Sequence, residues 1–554
     1  MNLIDDTVSL SFSPLFLELL AKRGFHDPHE IDRFIHVELK NLENPLLMKG
    51  MDLAVQRIRQ ALVQKEKILI HGDYDVDGIT ATAILARTLD MLGGQVQTFL
   101  PDRMKDGYGV SEEAIRRGHE QGVSLLITAD CGITAHRQIQ TARSCGMDVI
   151  VIDHHRIPKE GLPPATVILN PQQEDCPYPF KDLSAAGLAF KLSQALTGEQ
   201  AFAWMDLAAL STVGDIAPLK EENRILVEHG LRLLATKPNT GLKALAVSAG
   251  IKGHAFNVSH LGFVLGPRIN AAGRMSTPDI ALRLLMTENG KEAESLAQVL
   301  SEENKLRQKE ERETVRQAML EVEKSVNFNR DRVIVVWHRG WHAGVIGIVA
   351  SRIVDRFHRP AIVIAVNDGI GKGSGRSIKH FHLFYALESC KDLFKEFGGH
   401  EQAVGLTIRE ENLAVLRQRV NQYAAEAYSP ETFIRQVPVD LEIKLDDLGP
   451  RFIRELKMLE PHGAGNARPV FQTKNLQIKN KPVSQNSRTL QFWVTDGSLT
   501  YEALWSAKTP GTDRSFIEKD AKVELVYSVK TRIWNGMESL ILEVKGIKPL
   551  EVSG

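Results

Sequence analysis

Four short clusters between residues 71 and 215 gather aspartate, histidine and glycine. They read His71-Gly-Asp-Tyr-Asp75-Val-Asp77-Gly78, Thr128-Ala-Asp130-Cys-Gly132, Asp153-His154-His155 and Val213-Gly-Asp215. Each alone has an ordinary reading: an Asp-x-Asp-Gly run is a turn or helix cap, paired histidines lie on a surface, and Asp215 caps a helix end. Taken together they collect acids and imidazoles whose mutual repulsion is relieved by cations held among them. Two divalent ions about 3.5–4 Å apart, bound by Asp and His, form an arrangement suited to attack on phosphate esters. Mixed oxygen and imidazole ligation suits Mn²⁺, and Mg²⁺ remains open.

Such side chains need elements that bring them to one place. All four clusters read as following strand-like apolar runs, which for the first three are residues 67–70, 125–127 and 149–152. Runs this short and apolar fit buried parallel strands. The carboxyl ends of parallel strands share one sheet edge, where ligands bind. Helical patterns at 79–92, 111–119 (with Ser111 and Glu113 as a start signal) and 135–145 alternate with these strands. The alternation predicts a doubly wound parallel α/β sheet.

Further along, residues 184–290 read as mostly helical, and 291–325 contain no Gly or Pro. That second stretch predicts a long charged helix, or two with a short break, connecting domains. A second α/β unit begins at Arg332-Val-Ile-Val-Val-Trp337. It carries Gly371-Lys-Gly-Ser-Gly-Arg-Ser377 and Gly398-Gly-His-Glu-Gln-Ala-Val-Gly405. The first of these is read as a turn exposing backbone N–H groups, with Lys372 and Arg376 available to a phosphate. After about residue 430, short alternating strands suggest a small antiparallel barrel. From Asn466 onward there are 13 Lys+Arg against 9 Asp+Glu, and Trp493, Trp505 and Trp534 fall in the same stretch. Basic residues interleaved with aromatics suit base stacking on a single strand, although most of these rings must be core. The divisions are 1–48, a helical extension; 49–290, the parallel-sheet domain with its helical part; 291–328, the connecting helix; 329–430, the second α/β domain; and 431–554, the barrel.

Composition narrows the setting. A chain of 554 residues needs several cores, and a net charge of -1 means that any polyanion-binding surface is local. Four cysteines (Cys131, Cys145, Cys176, Cys390) without a CxxC pair form neither a zinc site nor a disulfide framework and favour a reducing compartment. The acidic N-terminus lacks a signal-peptide pattern, and no apolar run has the length of a membrane span. The expectation is a soluble cytoplasmic protein. No Ser-His-Asp triad with its expected local context is visible.

The Asp153-His154-His155 triplet with the His-x-x-x-Asp-x-Asp run at 71–77 resembles the DHH phosphoesterase superfamily. Gly266-Pro-Arg-Ile-Asn-Ala-Ala-Gly-Arg274, Gly371–Arg376, Gly398-Gly-His400 and Glu460-Pro-His-Gly-Ala-Gly-Asn466 extend the likeness, in order and spacing, to the RecJ family of exonucleases. From residue 50 onward the resemblance implies DHH, DHHA1 and OB domains. It implies His71 and Asp75 on one metal, Asp77, His154 and Asp215 on the second, and Asp130 bridging. His155 acts on the substrate or beside the site, Asp73 is an acidic support, and Asp153 orients a histidine. Ser374 and Arg376, with Arg103, Arg268, Arg274 and His400, become substrate contacts around a 5′-terminal phosphate. The implied activity is hydrolysis of single-stranded DNA from its 5′ end to mononucleotides in DNA repair and recombination. The enzyme is expected to be a monomer, with single-stranded-DNA-binding protein and a RecQ-type helicase as partners. A small-substrate phosphodiesterase or pyrophosphatase of the same superfamily is the alternative, and a non-catalytic nucleic-acid-binding replication factor a further one.

Overall fold

The first strand, β1 (Lys67–His71), alternates its side chains between two cores. Ile68 and Ile70 join one apolar cluster and Leu69 joins another. The same alternation runs through β3 (Val123–Ala129) and β4 (Asp148–Ile152), so this sheet is covered on both faces, as a doubly wound fold requires. With β2 (Gln95–Phe99) and β5 (Val167–Leu169) the order is β2-β1-β3-β4-β5, parallel throughout. The order reverses direction beside β1, which opens a crevice between the carboxyl ends of β1 and β3.

The computed structural model describes residues 12–102, 109–253, 255–486, 489–506, 516–534 and 537–550. The chain divides into two compact units. One comprises His26–Leu306 with Met458–Ala467, and the other Arg307–Lys457 and Arg468–Gly554 with the N-terminal stretch up to Phe25. The stretch read as one N-terminal extension is therefore shared. Helix Pro14–Lys22 is tied to the second unit through Ser13 N–H on Glu455 (2.7 Å) and Arg23 on Asp440 (3.0 Å). Helix Pro28–Ile35 belongs to the first, where Arg224 Nε donates to Phe34 O (3.1 Å). A single 36-residue helix, Gly290–Ser325, carries the chain from the first unit to the second, without the break that the sequence left open.

The second unit holds two sheets. The first is mixed: β6 (Ile334–Arg339) lies parallel to β7 (Ala361–Asn367), followed by antiparallel β8 (Ile370–Arg376), β10 (Ala403–Arg409) and β9 (Phe394–Gly399). The second contains β11 (Leu441–Glu442), β12 (Phe471–Ile478), β13 (Val483–Asn486), β14 (Thr489–Thr495), β15 (Thr500–Ser506), β16 (Lys522–Trp534) and β17 (Met537–Pro549). Five of these close a ring, β12-β14-β15-β17-β16 and back to β12, the barrel connectivity of an OB fold. The expectation of a purely antiparallel barrel fails at one seam, because β15 and β17 run parallel. Phe471, Phe492, Trp505 and Tyr527 are core, whereas Trp493 is 41% exposed.

Candidate active site

The loops leaving β1, β3 and β4 deliver Asp73, Asp75, Asp130 and His154 to the crevice edge. Asp215 arrives differently. It ends helix Met205–Gly214, correcting the reading that placed it after a strand. The run 205–213 is apolar because its helix is buried against neighbours, which apolarity alone does not distinguish from a strand.

Each acid is set by a local device. Asp75 is the N-cap of helix Val76–Met91, its Oδ1 accepting from the backbone N–H of Asp77 (2.9 Å) and Gly78 (3.2 Å). Gly78 leaves room for the loop to fold back, since a Cβ there would stand 2.6 Å from Asp73 N. Asp77 is buried and held by three donors: Ala185 N–H (2.8 Å), Ala186 N–H (2.8 Å) and Ser211 Oγ (2.5 Å). The two amides begin helix Ala185–Thr197, whose positive end favours a carboxylate. Asp130 has a φ of 65°, in the left-handed region that Asp tolerates better than most residues. Asp153 accepts from Ile133 N–H (2.9 Å) and from His155 Nδ1–H (2.7 Å), fixing the His155 ring.

The ligand atoms form three overlapping sets, each within 4.8 Å: Asp73, Asp75 and Asp130; Asp77, His154 and Asp215; Asp130, His154 and His155. His154 Nε2 lies 3.3 Å from Asp130 Oδ1, 3.6 Å from Asp77 Oδ2 and 3.9 Å from Asp215 Oδ2. Burial and the neighbouring acids push Asp130 well above the usual carboxylate range and Asp215 up to about 8, and Asp75 also rises. Burial lowers His154, favouring the neutral ring that ligates metals. Burial pulls His155 down, but the Asp153 hydrogen bond and the charges of Asp153, Asp215 and Asp77 raise it to about 9. Asp153 stays low against its own burial because His155 and two backbone N–H groups bond it.

This donor set fits divalent cations. Asp130 Oδ1 is buried and, among the described residues, makes no hydrogen bond, a costly arrangement for a carboxylate unless an ion meets it. Oxygen donors with one neutral imidazole admit Mn²⁺ or Mg²⁺. His71 stands outside the three sets; its Nε2 accepts from Ser111 N–H (3.0 Å).

Comparison with known proteins identifies the family. Residues 67–214 match the DHH family, N-terminal domain, residues 330–426 the DHHA1 domain, and residues 439–546 the RecJ OB domain. The single-stranded-DNA-specific exonuclease RecJ of Escherichia coli is 35% identical over 575 residues, covering 99% of this chain and 98% of that protein. The protein of the same name from Bacillus subtilis is 40% identical, covering 97% and 68%. The crystal structure of RecJ with Mn²⁺ from Thermus thermophilus matches with a TM-score of 0.82 at 31% identity, covering 98% of this chain and 76% of that one. A Mg²⁺ complex from the same source gives 0.76 at 29%, covering 98% and 75%.

The chain belongs to the RecJ family.

Two braces of this RecJ-family site escaped the sequence. Asn270 Oδ1 accepts from Val76 N–H (2.7 Å), and Ser211 bonds Asp77. Within Gly266–Arg274, Asn270 thus supports the Asp75–Asp77 loop, while the charge of Arg274 works against the rise of Asp75. Arg268 donates to Val264 O (2.7 Å) and Ser301 Oγ (3.3 Å). Arg103 lies outside the described residues.

Ser374 and Arg376 lie in the other unit, on one face of β8, and Arg376 Nη1 donates to Ser374 Oγ (3.2 Å). Both sit beside the start of helix Ile346–Phe357, where a Cβ on Gly347 would stand 3.1 Å from Ser374 Oγ and 3.2 Å from Arg376 Nη2. Serine, guanidinium and a helix N-terminus together suit an anion. The turn expected at 371–377 is instead a central strand, paired with both β7 and β10. Its backbone N–H groups face the sheet ladders rather than a ligand. Gly371, Gly373 and Gly375 serve the opposite face, where a Cβ would press on Ile364, Leu406 and Val404 at 2.5–2.7 Å. His400 is exposed in the β9–β10 turn, and Gln402 N–H donates to its Nδ1 (3.4 Å).

Proposed function

We propose that this chain is a metal-dependent exonuclease that removes mononucleotides from the 5′ end of single-stranded DNA, in DNA repair and recombination. The observation that carries the reading is the convergence of Asp73, Asp75 and Asp130 with Asp77, His154 and Asp215 around the buried Asp130 Oδ1. The names of its RecJ relatives supply the single-strand specificity. The Mn²⁺ and Mg²⁺ complexes of a RecJ structure support the choice of ion.

Asp77, His154 and Asp215 would hold one cation and Asp73 and Asp75 another, with Asp130 shared. A ligand role for His71 requires its ring to give up the Ser111 N–H. When bound, divalent cations supply Lewis acidity toward the phosphate oxygens and make a nucleophile of water at neutral pH. His155 commits its Nδ1 proton to Asp153, so any proton it offers the substrate is on Nε2. Water oxygen joins phosphorus, the bond to the 3′ oxygen breaks, and that oxygen leaves protonated. Cleavage on this side returns a 5′ phosphate to the shortened strand. Ser374, Arg376 and the start of helix Ile346–Phe357 would bind that phosphate. Arg268, Arg274, Arg103 and His400 complete the proposed substrate contacts, and the exposed Trp493 is a stacking platform on the barrel.

The same reading assigns single-stranded-DNA-binding protein and a RecQ-type helicase as partners that deliver single strands, a monomeric enzyme and a cytoplasmic location. Four free cysteines suit a reducing compartment. Among the described residues no helix is long and apolar enough to cross a membrane.

The test is digestion of oligonucleotides labelled at either end, with Mn²⁺ or Mg²⁺. The expected result is early release of labelled mononucleotide from the 5′ end alone. First release from the 3′ end removes the polarity. Cleavage of dinucleotides with long strands left intact returns the small-substrate phosphodiesterase.

A further inference from the structure

Asp77 and Asp215 belong to one convergent set but are held in opposite ways. Asp77 is gripped by three donors. Among the described residues none donates a hydrogen bond to the Asp215 carboxylate. The next residue, Ile216, is 74% exposed with a φ of 62°, a strained conformation for a β-branched side chain. Asp215 is therefore placed by its backbone, which is held on one side by helix Met205–Gly214, where its N–H donates to Ser211 O (2.8 Å), and on the other by the loop beyond it.

That loop is fastened from far downstream in the sequence. Leu219 N–H donates to Ala464 O (2.7 Å). A Cβ on Gly463 would stand 2.6 Å from Leu219 Cδ1, and one on Gly465 would stand 2.8 Å from Pro218 Cβ, so both glycines permit direct seating. The seat is locked by Arg224, which is 2% exposed and spends its guanidinium on backbone carbonyls: Met458 (2.9 Å), Leu459 (2.8 Å), Glu460 (2.5 Å) and Pro461 (3.4 Å). Asn466 Nδ2 closes the turn on Leu459 O (2.8 Å) and Pro461 O (2.9 Å). A buried guanidinium saturated by the main chain makes a rigid clamp, because leaving any of those groups unpaired is costly.

We infer that the segment Met458–Ala467, with Arg224 as its clamp, is a positioning element for Asp215 and sets the cation affinity of the Asp77–His154–Asp215 set. The inference rests on Asp215 being a ligand. It assigns the Glu460–Asn466 motif a role at the metal centre, although the sequence places it beside the barrel.

Gly463→Val is the test, since it presses on Leu219 without removing any donor. Free Mn²⁺ is followed by electron paramagnetic resonance during titration of the intact protein, and cleavage of a short 5′-phosphorylated strand is measured in parallel. One Mn²⁺ site weakens about 10-fold or more, as loss of ligand support typically does. Half-saturating Mn²⁺ for cleavage rises, while turnover at saturating Mn²⁺ and KM for the strand stay near wild type. In an Asp215→Asn background the same substitution adds nothing to the Mn²⁺ titration. If Gly463→Val does not fold, Arg224→Lys, which keeps the charge and loses the fan of bonds, is read the same way. An unchanged Mn²⁺ titration in a folded variant, or an equal loss in the Asp215→Asn background, overturns the inference. Failure of the exonuclease reading alone would show as absent cleavage in the wild type and leave the Mn²⁺ titration readable.

Discussion

The two α/β sheets present their chemistry in different ways. The parallel sheet sends its acids off the carboxyl ends of β1, β3 and β4, whereas the mixed sheet carries Ser374 and Arg376 on the face of central strand β8. A loop leaving a strand has lost its ladder partners, so its side chains need braces from elsewhere. Here these are Asn270 for Val76, Ser211 and the start of helix Ala185–Thr197 for Asp77, and Asp153 for His155. A strand face is already held on both sides and needs room instead, which Gly371, Gly373 and Gly375 provide on the reverse of β8. Charge follows the same division: the strand ends concentrate carboxylates and call for cations, and the strand face offers a guanidinium and calls for an anion.

Five substitutions probe that division. The largest effect belongs to Asp130→Asn, which should lower kcat by about 10³-fold or more, roughly 4 kcal/mol of barrier. Single-strand binding, followed by fluorescence anisotropy, should persist; turnover within tenfold of wild type would break the strand-end half. Next, Arg376→Ala should cost 5′-phosphorylated strands about 10- to 100-fold in kcat/KM, the usual worth of a hydrogen bond to a charged group. Strands with a 5′ hydroxyl should be nearly unaffected, and an equal loss on both ends erases the anion site. Gly373→Val should instead act on stability, because its Cβ would stand 2.6 Å from Leu406 Cδ1. Overpacking of that kind costs about 1–3 kcal/mol in denaturant unfolding, while Ser374→Ala on the other face should stay within about 0.5 kcal/mol. A reversed pattern would break the face argument. The smallest change is expected from Asn270→Ala, where losing one brace should lower kcat about tenfold at fixed Mn²⁺ and leave the melting temperature close to wild type.

Much of this is visible in the residues themselves. The apolar runs before His71, Asp130 and Asp153 are strands because each is short, β-branched and followed at once by turn chemistry. Ser111 is the helix cap that its spacing suggests, accepting from Ala114 N–H at 3.2 Å. Other features are hidden for physical reasons. Asn270 and Ser211 act across long sequence separations, and no local pattern marks a side chain that will meet a distant N–H. The alternation of glycine at 371, 373 and 375 is a period-two strand signal, masked because glycine also dominates turns. Asp215 reads as a strand-end residue because a buried helix is as apolar as a buried strand. The division of the N-terminal stretch between two units depends on Ser13, Arg23 and Arg224 finding partners that lie far away in the chain.

Asp75 gives one carboxylate two separable duties. Its Oδ1 starts helix Val76–Met91, and in the proposed metal site its Oδ2 would meet a cation. Asparagine caps a helix as well as aspartate does, but brings no charge. Asp75→Asn should therefore give a chain whose helix is intact and whose chemistry is silenced. Such a chain would grip a DNA end without consuming it and would serve as a trap for the complex that the active enzyme passes through too quickly to hold.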